Sequence, residues 1–188
     1  MAFKGTTHFP GTTGFKQLES LGMKLGSHVN AATSLNATTY KLSLPNANPI
    51  QIKTGLKILS DWAFEMTFDP IEFDKERPVI VEEWRLRQGI GFRINRQLEE
   101  LRYYGSRYLD RDPIGDLEIV KHGDVKDAKR YYDTWYQPER MALVLVGNFN
   151  QGDAIADIKQ LFNAKNSENK GIDDPSWHNF IDHKDLLV

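Results

Sequence analysis

The chain has 188 residues, 40% of them hydrophobic, a formal charge of -2 and no cysteine, which suits one domain of ordinary size or one and a half small ones. The near-neutral charge and the lack of a basic run point away from nucleic acid and anionic membranes. The missing cysteines remove disulfides, thiolate zinc sites and cysteine nucleophiles together. No stretch reaches the roughly 20 apolar residues of a membrane span, and residues 1–5 (MAFKG) lack the charged leader and apolar core of a signal peptide.

Residues 4–14, with Gly5, Gly11, Gly14 and Pro10, read as a loop. A short helix is predicted over 15–21, stopped by Gly22. Residues 24–33 and 37–44 are predicted as two strands of a hairpin about Ser34, Leu35 and Asn36. In the second strand Tyr40, Leu42 and Leu44 alternate with Thr39, Lys41 and Ser43, the period of a half-buried strand. Ile52, Leu56, Leu59 and Ala63 stand at helical spacing and predict an amphipathic helix over 50–64. Asp69 and Pro70 open a long helical region that runs to about residue 104, with Pro78 and the Gly89/Gly91 pair as candidate points of kinking or division.

A turn is expected at 112–115, then a short helix over 116–121. Asp124 is placed to cap a helix that ends at Trp135, before Pro138. The apolar run 141–146, ending at Gly147, predicts a buried strand, and 153–162 another helix. From residue 165 the chain turns polar, with Gly171 and Pro175, so 163–188 reads as a linker or the start of a following segment. The expected fold class is α+β, with strands near the start and near residue 145 and helices between them.

Metal chemistry needs ligands that converge, as histidines four apart do on one helix face. His8, His28, His122, His178 and His183 include no such pair, and each reads as a loop or surface residue. No Ser/His/Asp set and no phosphate-binding glycine loop is legible. The acidic segment 74–85 (DKERPVIVEEWR) is more informative. Glu76 and Glu83 are two helical turns apart and share a face with Val79 and Ile80, whereas Glu82 is turned about 100° away. That face is expected to point toward the packed side of the chain. The alternative is a solvated charged helix with Arg77 and Arg85 as partners. Tyr103, Tyr104, Tyr131, Tyr132, Trp135 and Tyr136 read as helix-packing aromatics rather than a binding cage.

Several segments, in order, resemble the insulinase/pitrilysin (M16) family of zinc metallopeptidases, closest to its PqqL-like bacterial branch. They are residues 1–6 (MAFKGT), 28–34 (HVNAATS), Thr39-Tyr40, 76–85 (ERPVIVEEWR), 112–115 (DPIG), 135–138 (WYQP) and 145–149 (LVGNF). The likeness covers about residues 1–162. It implies a mixed or antiparallel sheet with helices packed on one face. It also implies an inverted His-x-x-Glu-His motif that binds zinc, plus a downstream glutamate ligand preceded seven residues earlier by a supporting glutamate. That spacing makes Glu83 the ligand-like residue and Glu76 its support.

In this family the residue after the second motif histidine is commonly methionine. The resemblance therefore implies that Met1 follows the motif and that residues 1–162 form a partial peptidase domain without its first strands and motif helix. Asn30 and Ala31 match an edge strand that pairs with an extended peptide; the alternative is that Asn30 only satisfies local backbone groups. The implied partners are a peptide or protein substrate and the remaining domains of the same polypeptide. Zinc is implied for the full-length protein, with no tight zinc and no activity expected of the 188 residues alone. Export, as in periplasmic relatives, and self-association through an uncovered apolar face are further expectations. The competing reading is a non-catalytic structural or peptide-binding subunit of the same fold.

Overall fold

The computed structural model describes residues 1–162; the expected linker over 163–188, with Gly171, Pro175, His178 and His183, lies outside the described residues. The elements run α1 (Thr13–Ser20), β1 (Val29–Thr33), β2 (Thr38–Leu42), α2 (Pro49–Phe64), α3 (Pro70–Arg87), α4 (Ile90–Arg102), α5 (Leu117–His122), α6 (Val125–Trp135) and α7 (Gln151–Phe162). The class is α+β, and the sheet among the described residues is an antiparallel pair, β1 beside β2. Two compact units separate. The first holds residues 1–32, 38–74 and the described part of 124–168; the described residues of the second are 33–37 and 75–123.

Local chemistry explains most of these elements. Asn48 caps α2 by accepting the Gln51 N–H at 2.9 Å, and Pro49 occupies the first turn, where its missing N–H removes nothing. Asp69 caps α3 through Oδ1, which accepts the N–H groups of Ile71 and Glu72 at 2.8 and 3.0 Å. Asp116 and Asp124 cap α5 and α6 in the same way. The break between α3 and α4 falls at Gln88 and Gly89, while Pro78 is carried inside α3.

The core belongs to the first unit. Leu18 of α1, Val29 of β1, Ile58 and Trp62 of α2, Met66, Phe68 and Tyr132 of α6 are buried together, and Phe3, Phe15, Tyr40 and Tyr136 pack against them. Phe3 and Trp62 meet edge-on at 5.0 Å between ring centroids, and Tyr40 lies 5.6 Å from Trp62. Two phenols are wired into this cluster. The Tyr132 hydroxyl donates to the Trp62 carbonyl at 3.2 Å, and the Tyr40 and Tyr136 hydroxyls are 2.9 Å apart. Along α2 lies α7, joined to it by Lys53–Asp157 at 2.9 Å and by the Ser60 hydroxyl, which donates to the Leu161 carbonyl at 2.9 Å.

The structure differs from the sequence reading in three places. The first strand begins at Val29 rather than residue 24, because residues 24–28 turn back on themselves: the Lys24 carbonyl accepts the His28 N–H at 2.9 Å. The predicted buried strand over 141–146 forms no ladder, and Val144 and Val146 are exposed, the latter at 88%. A strand needs a neighbour for its backbone groups, and none of the described residues supplies one. Of the helix-packing aromatics, Tyr132 is buried and Tyr136 half-buried, but Tyr104 and Tyr131 stand exposed.

Candidate active site

The acidic face of α3 is where the sequence places its chemistry. Glu76 and Ile80 are half-buried. The Glu83 side chain is 51% exposed and pairs with Arg87 one turn on. The expectation that this face points into packed structure is not met: α3 buries no residue. Its apolar residues are spread around the helix, with Val79 and Leu86 exposed and Ile80 half-buried. Glu82 is occupied differently. Arg85 donates two hydrogen bonds to its carboxylate, at 2.6 and 2.9 Å, and these hold the Glu82 carboxyl below the usual carboxylate range.

Glu83 is thus an accessible oxygen donor whose present partner is a surface cation. Surface pairs of this kind contribute about 0–1 kcal/mol, so Arg87 is a weak competitor for the carboxylate. Zinc accepts carboxylate oxygen, but a catalytic zinc needs three protein ligands and an open position. Among the described residues no group of three or more metal-ligating side chains converges. The donor set present fits one position of a zinc shell and not a whole one.

Asn30 is exposed on β1, with its Oδ1 accepting the Ala31 N–H at 2.8 Å; Ala31 is half-buried. This is the local backbone bond that was the competing explanation for Asn30, and it uses one side-chain acceptor while leaving the amide group facing outward. β1 pairs with β2, and at its start Val29 also bridges to Leu25.

Sequence reasoning missed one polar cluster. Asp61 of α2 is 3% exposed at its side chain, and it accepts the Thr6 hydroxyl at 2.5 Å and the His8 backbone N–H at 3.3 Å. His8 Nδ1 lies 2.8 Å from Asp61 Oδ1. The Thr7 hydroxyl donates to Glu65 Oε2 at 2.9 Å. These contacts fasten residues 6–8 to the C-terminal end of α2. Partners more than 50 residues apart leave no local pattern to read.

Comparison with known proteins defines the class. Residues 1–88 match the family described as Insulinase (Peptidase family M16), and residues 124–184 match the Peptidase M16 inactive domain. The chain belongs to peptidase family M16. It is 34% identical to the probable zinc protease PqqL of Haemophilus influenzae over 166 residues, 88% of this chain and 18% of that protein. The structure of the first half of the periplasmic protease PqqL from Escherichia coli superposes with a TM-score of 0.81 at 35% identity, over 85% of this chain and 34% of that one. A mutant of the ferredoxin protease FusC in complex with Arabidopsis ferredoxin gives a TM-score of 0.81 at 30% identity, over 87% of this chain and 18% of that one. The chain spans less than a fifth of the length of the curated PqqL relatives, at 18% and 19%. No helix among the described residues is long and apolar enough to cross a membrane.

Proposed function

We propose that this chain contributes one part of the centre of a zinc-dependent endopeptidase, with Glu83 as a carboxylate ligand and Glu76 as its support. The observation that carries the reading is the accessible Glu83 carboxylate, two turns along α3 from Glu76, inside the segment that matches the insulinase family. Zinc in such a site supplies Lewis acidity to the scissile carbonyl. Two histidines of a motif would complete the ligand set; the 188 residues contain no pair four apart, so those ligands come from elsewhere in the complete gene product. One carboxylate does not hold zinc tightly, and the 188 residues alone are inactive in this reading.

Asn30 and Ala31 offer the substrate edge. An extended peptide laid beside β1 would satisfy backbone groups that β2 does not reach, the mode of recognition in which a peptide adds a strand to a sheet. By analogy with a relative described as a periplasmic protease, the complete gene product works after export, on peptide or protein chains.

The test is hydrolysis of unstructured peptides by the complete gene product. Cleavage abolished by a chelator and restored by zinc, with none from the 188 residues alone, is the expected result; cleavage indifferent to chelation contradicts it. The competing reading, a non-catalytic peptide-binding subunit, draws on the match of residues 124–184 to the inactive-domain family. It predicts peptide binding with no cleavage under any metal condition. Ile90, Ile94, Leu98 and Leu101 form an exposed apolar stripe on α4. The isolated chain is therefore expected to self-associate, which light scattering at rising concentration checks: a monomer throughout contradicts it.

A further inference from the structure

α4 lies the wrong way round for a surface helix. An amphipathic helix normally turns its apolar stripe inward and its charges to water. In α4 the half-buried residues are Phe92, Arg96 and Glu99, which share one face, and no residue of the helix is fully buried. Ile90, Ile94, Leu98 and Leu101 lie on the opposite face, between 45% (Leu98) and 80% (Leu101) exposed. Four large side chains in one row mark a contact surface, whereas apolar residues exposed singly do not.

The charges beside the stripe say what fits it. Arg93 and Glu100 are both exposed and stand two helical turns apart, so they occupy the same flank of the stripe. A second copy of α4 laid antiparallel sets each flank against its own counterpart with the direction reversed, as a two-fold interface requires. Arg93 of each copy then faces Glu100 of the other. Ile94 meets Leu98 and Ile90 meets Leu101 across the same axis. All three pairs are centred between Asn95 and Gln97, so the apolar and the ionic matching select one register. A parallel pair sets this flank against the one that carries Gly91, Asn95 and Arg102, and gives Arg93 no anion. The Glu100 carboxylate beside the stripe disfavours an anionic membrane surface as the occupant.

We propose that α4 is a self-complementary docking face: two copies of this chain pair α4 antiparallel about a two-fold axis between Asn95 and Gln97. The pairing buries Ile90, Ile94, Leu98 and Leu101 and joins Arg93 of each copy to Glu100 of the other. It deepens the expected self-association, on which it rests, and is independent of the ligand reading of Glu83. The 13 residues of α4 span about 20 Å, a contact at the small end of specific interfaces. The dimer therefore forms reversibly as concentration rises.

The experiment is sedimentation velocity of the 188-residue chain over a concentration series, with thermal melting as the folding control. The wild type is expected to pass from monomer to dimer. Leu98→Glu is expected to weaken dimerisation about 10-fold or more. Arg93→Glu or Glu100→Arg alone turns both ionic contacts of a homodimer repulsive and should weaken it about 5-fold or more. An equimolar mixture of these two variants restores dimerisation, because each contact across the mixed pair again joins opposite charges. A monomer at every concentration overturns the proposal together with the self-association. Wild-type dimerisation in Leu98→Glu or in both charge variants, or a mixture no stronger than either variant alone, overturns the antiparallel pairing and leaves self-association standing. If one charge variant does not fold, Arg93→Glu and Glu100→Arg combined in one chain carry the same test: wild-type dimerisation supports the pairing, and a monomer overturns it.

Discussion

Two regions of this chain are built by different means. Around Trp62, strands, helices and the N-terminal loop converge on one aromatic cluster, and side chains from α1, β1, α2 and α6 share the burial. Over residues 75–123 no described side chain is buried, and the interactions that specify shape are polar: caps at Ser106 and Asp116, ion pairs along α3, and the Arg77 bridge to α5. The first region is stable because it excludes water. The second holds geometry without excluding water, and it is the one that carries the ligand-like glutamates. The buried core and the ligand-like glutamates thus fall in separate stretches of sequence, and substitutions in the two should behave differently.

The largest expected effect is at Trp62. Truncation to alanine removes its contacts with Phe3 and Tyr40 and opens a void in the core, at a cost of about 3–5 kcal/mol. Denaturant unfolding checks this, and a loss under about 1 kcal/mol would show that the aromatic cluster is not the stabilising centre. Next comes Asp61→Ala, which leaves the Thr6 hydroxyl and the His8 ring without their buried partner. About 1–3 kcal/mol is expected, together with faster amide exchange over residues 5–9. Unchanged exchange there would mean that the loop is held by other contacts.

A third effect comes from the phenols. Burial pushes the hydroxyl pKa values of Tyr40 and Tyr132 well above the ordinary tyrosine range, and at Tyr40 the neighbouring Tyr136 adds to the rise. A folded-state pKa raised above the unfolded value gives stability that is fully present below the unfolded value, about 10. That stability is lost as pH climbs from there toward the folded value. The core should therefore weaken in alkali, with phenolate absorbance from these tyrosines appearing together with unfolding. Phenolate formation in a folded core contradicts the burial. The smallest effect sharpens the contrast: Val79→Ser and Leu86→Gln on α3, both at exposed positions, should change stability by less than about 0.5 kcal/mol. A loss of about 2 kcal/mol from either would show that α3 is buried after all.

The sequence announced what depends on neighbours in the chain. Asp69-Pro70 and Asp124 mark helix starts because a cap and its N–H partners lie within three residues. The hairpin about 34–37 and the break at Gly89 were legible for the same reason. What depends on distant partners was not. Periodicity marked 141–146 as a strand, but pairing requires a second strand that no window of sequence contains. The bond from Thr6 to Asp61 spans 55 positions. At α3 the seven-residue spacing did place Glu76 and Glu83 on one face, yet an apolar neighbour such as Val79 carries no information about whether anything covers it.

The central claim is that Glu83, and not the adjacent Glu82, is the chain's contribution to a zinc centre. Metal analysis of the complete gene product with Glu83→Gln and, separately, Glu82→Gln tests it most directly. The account predicts that stoichiometric zinc is lost in the first variant and kept in the second, because Glu82 lies about 100° round the helix from the face that Glu76 and Glu83 share. Zinc retained in full by the Glu83 variant, or lost equally from both, would contradict it.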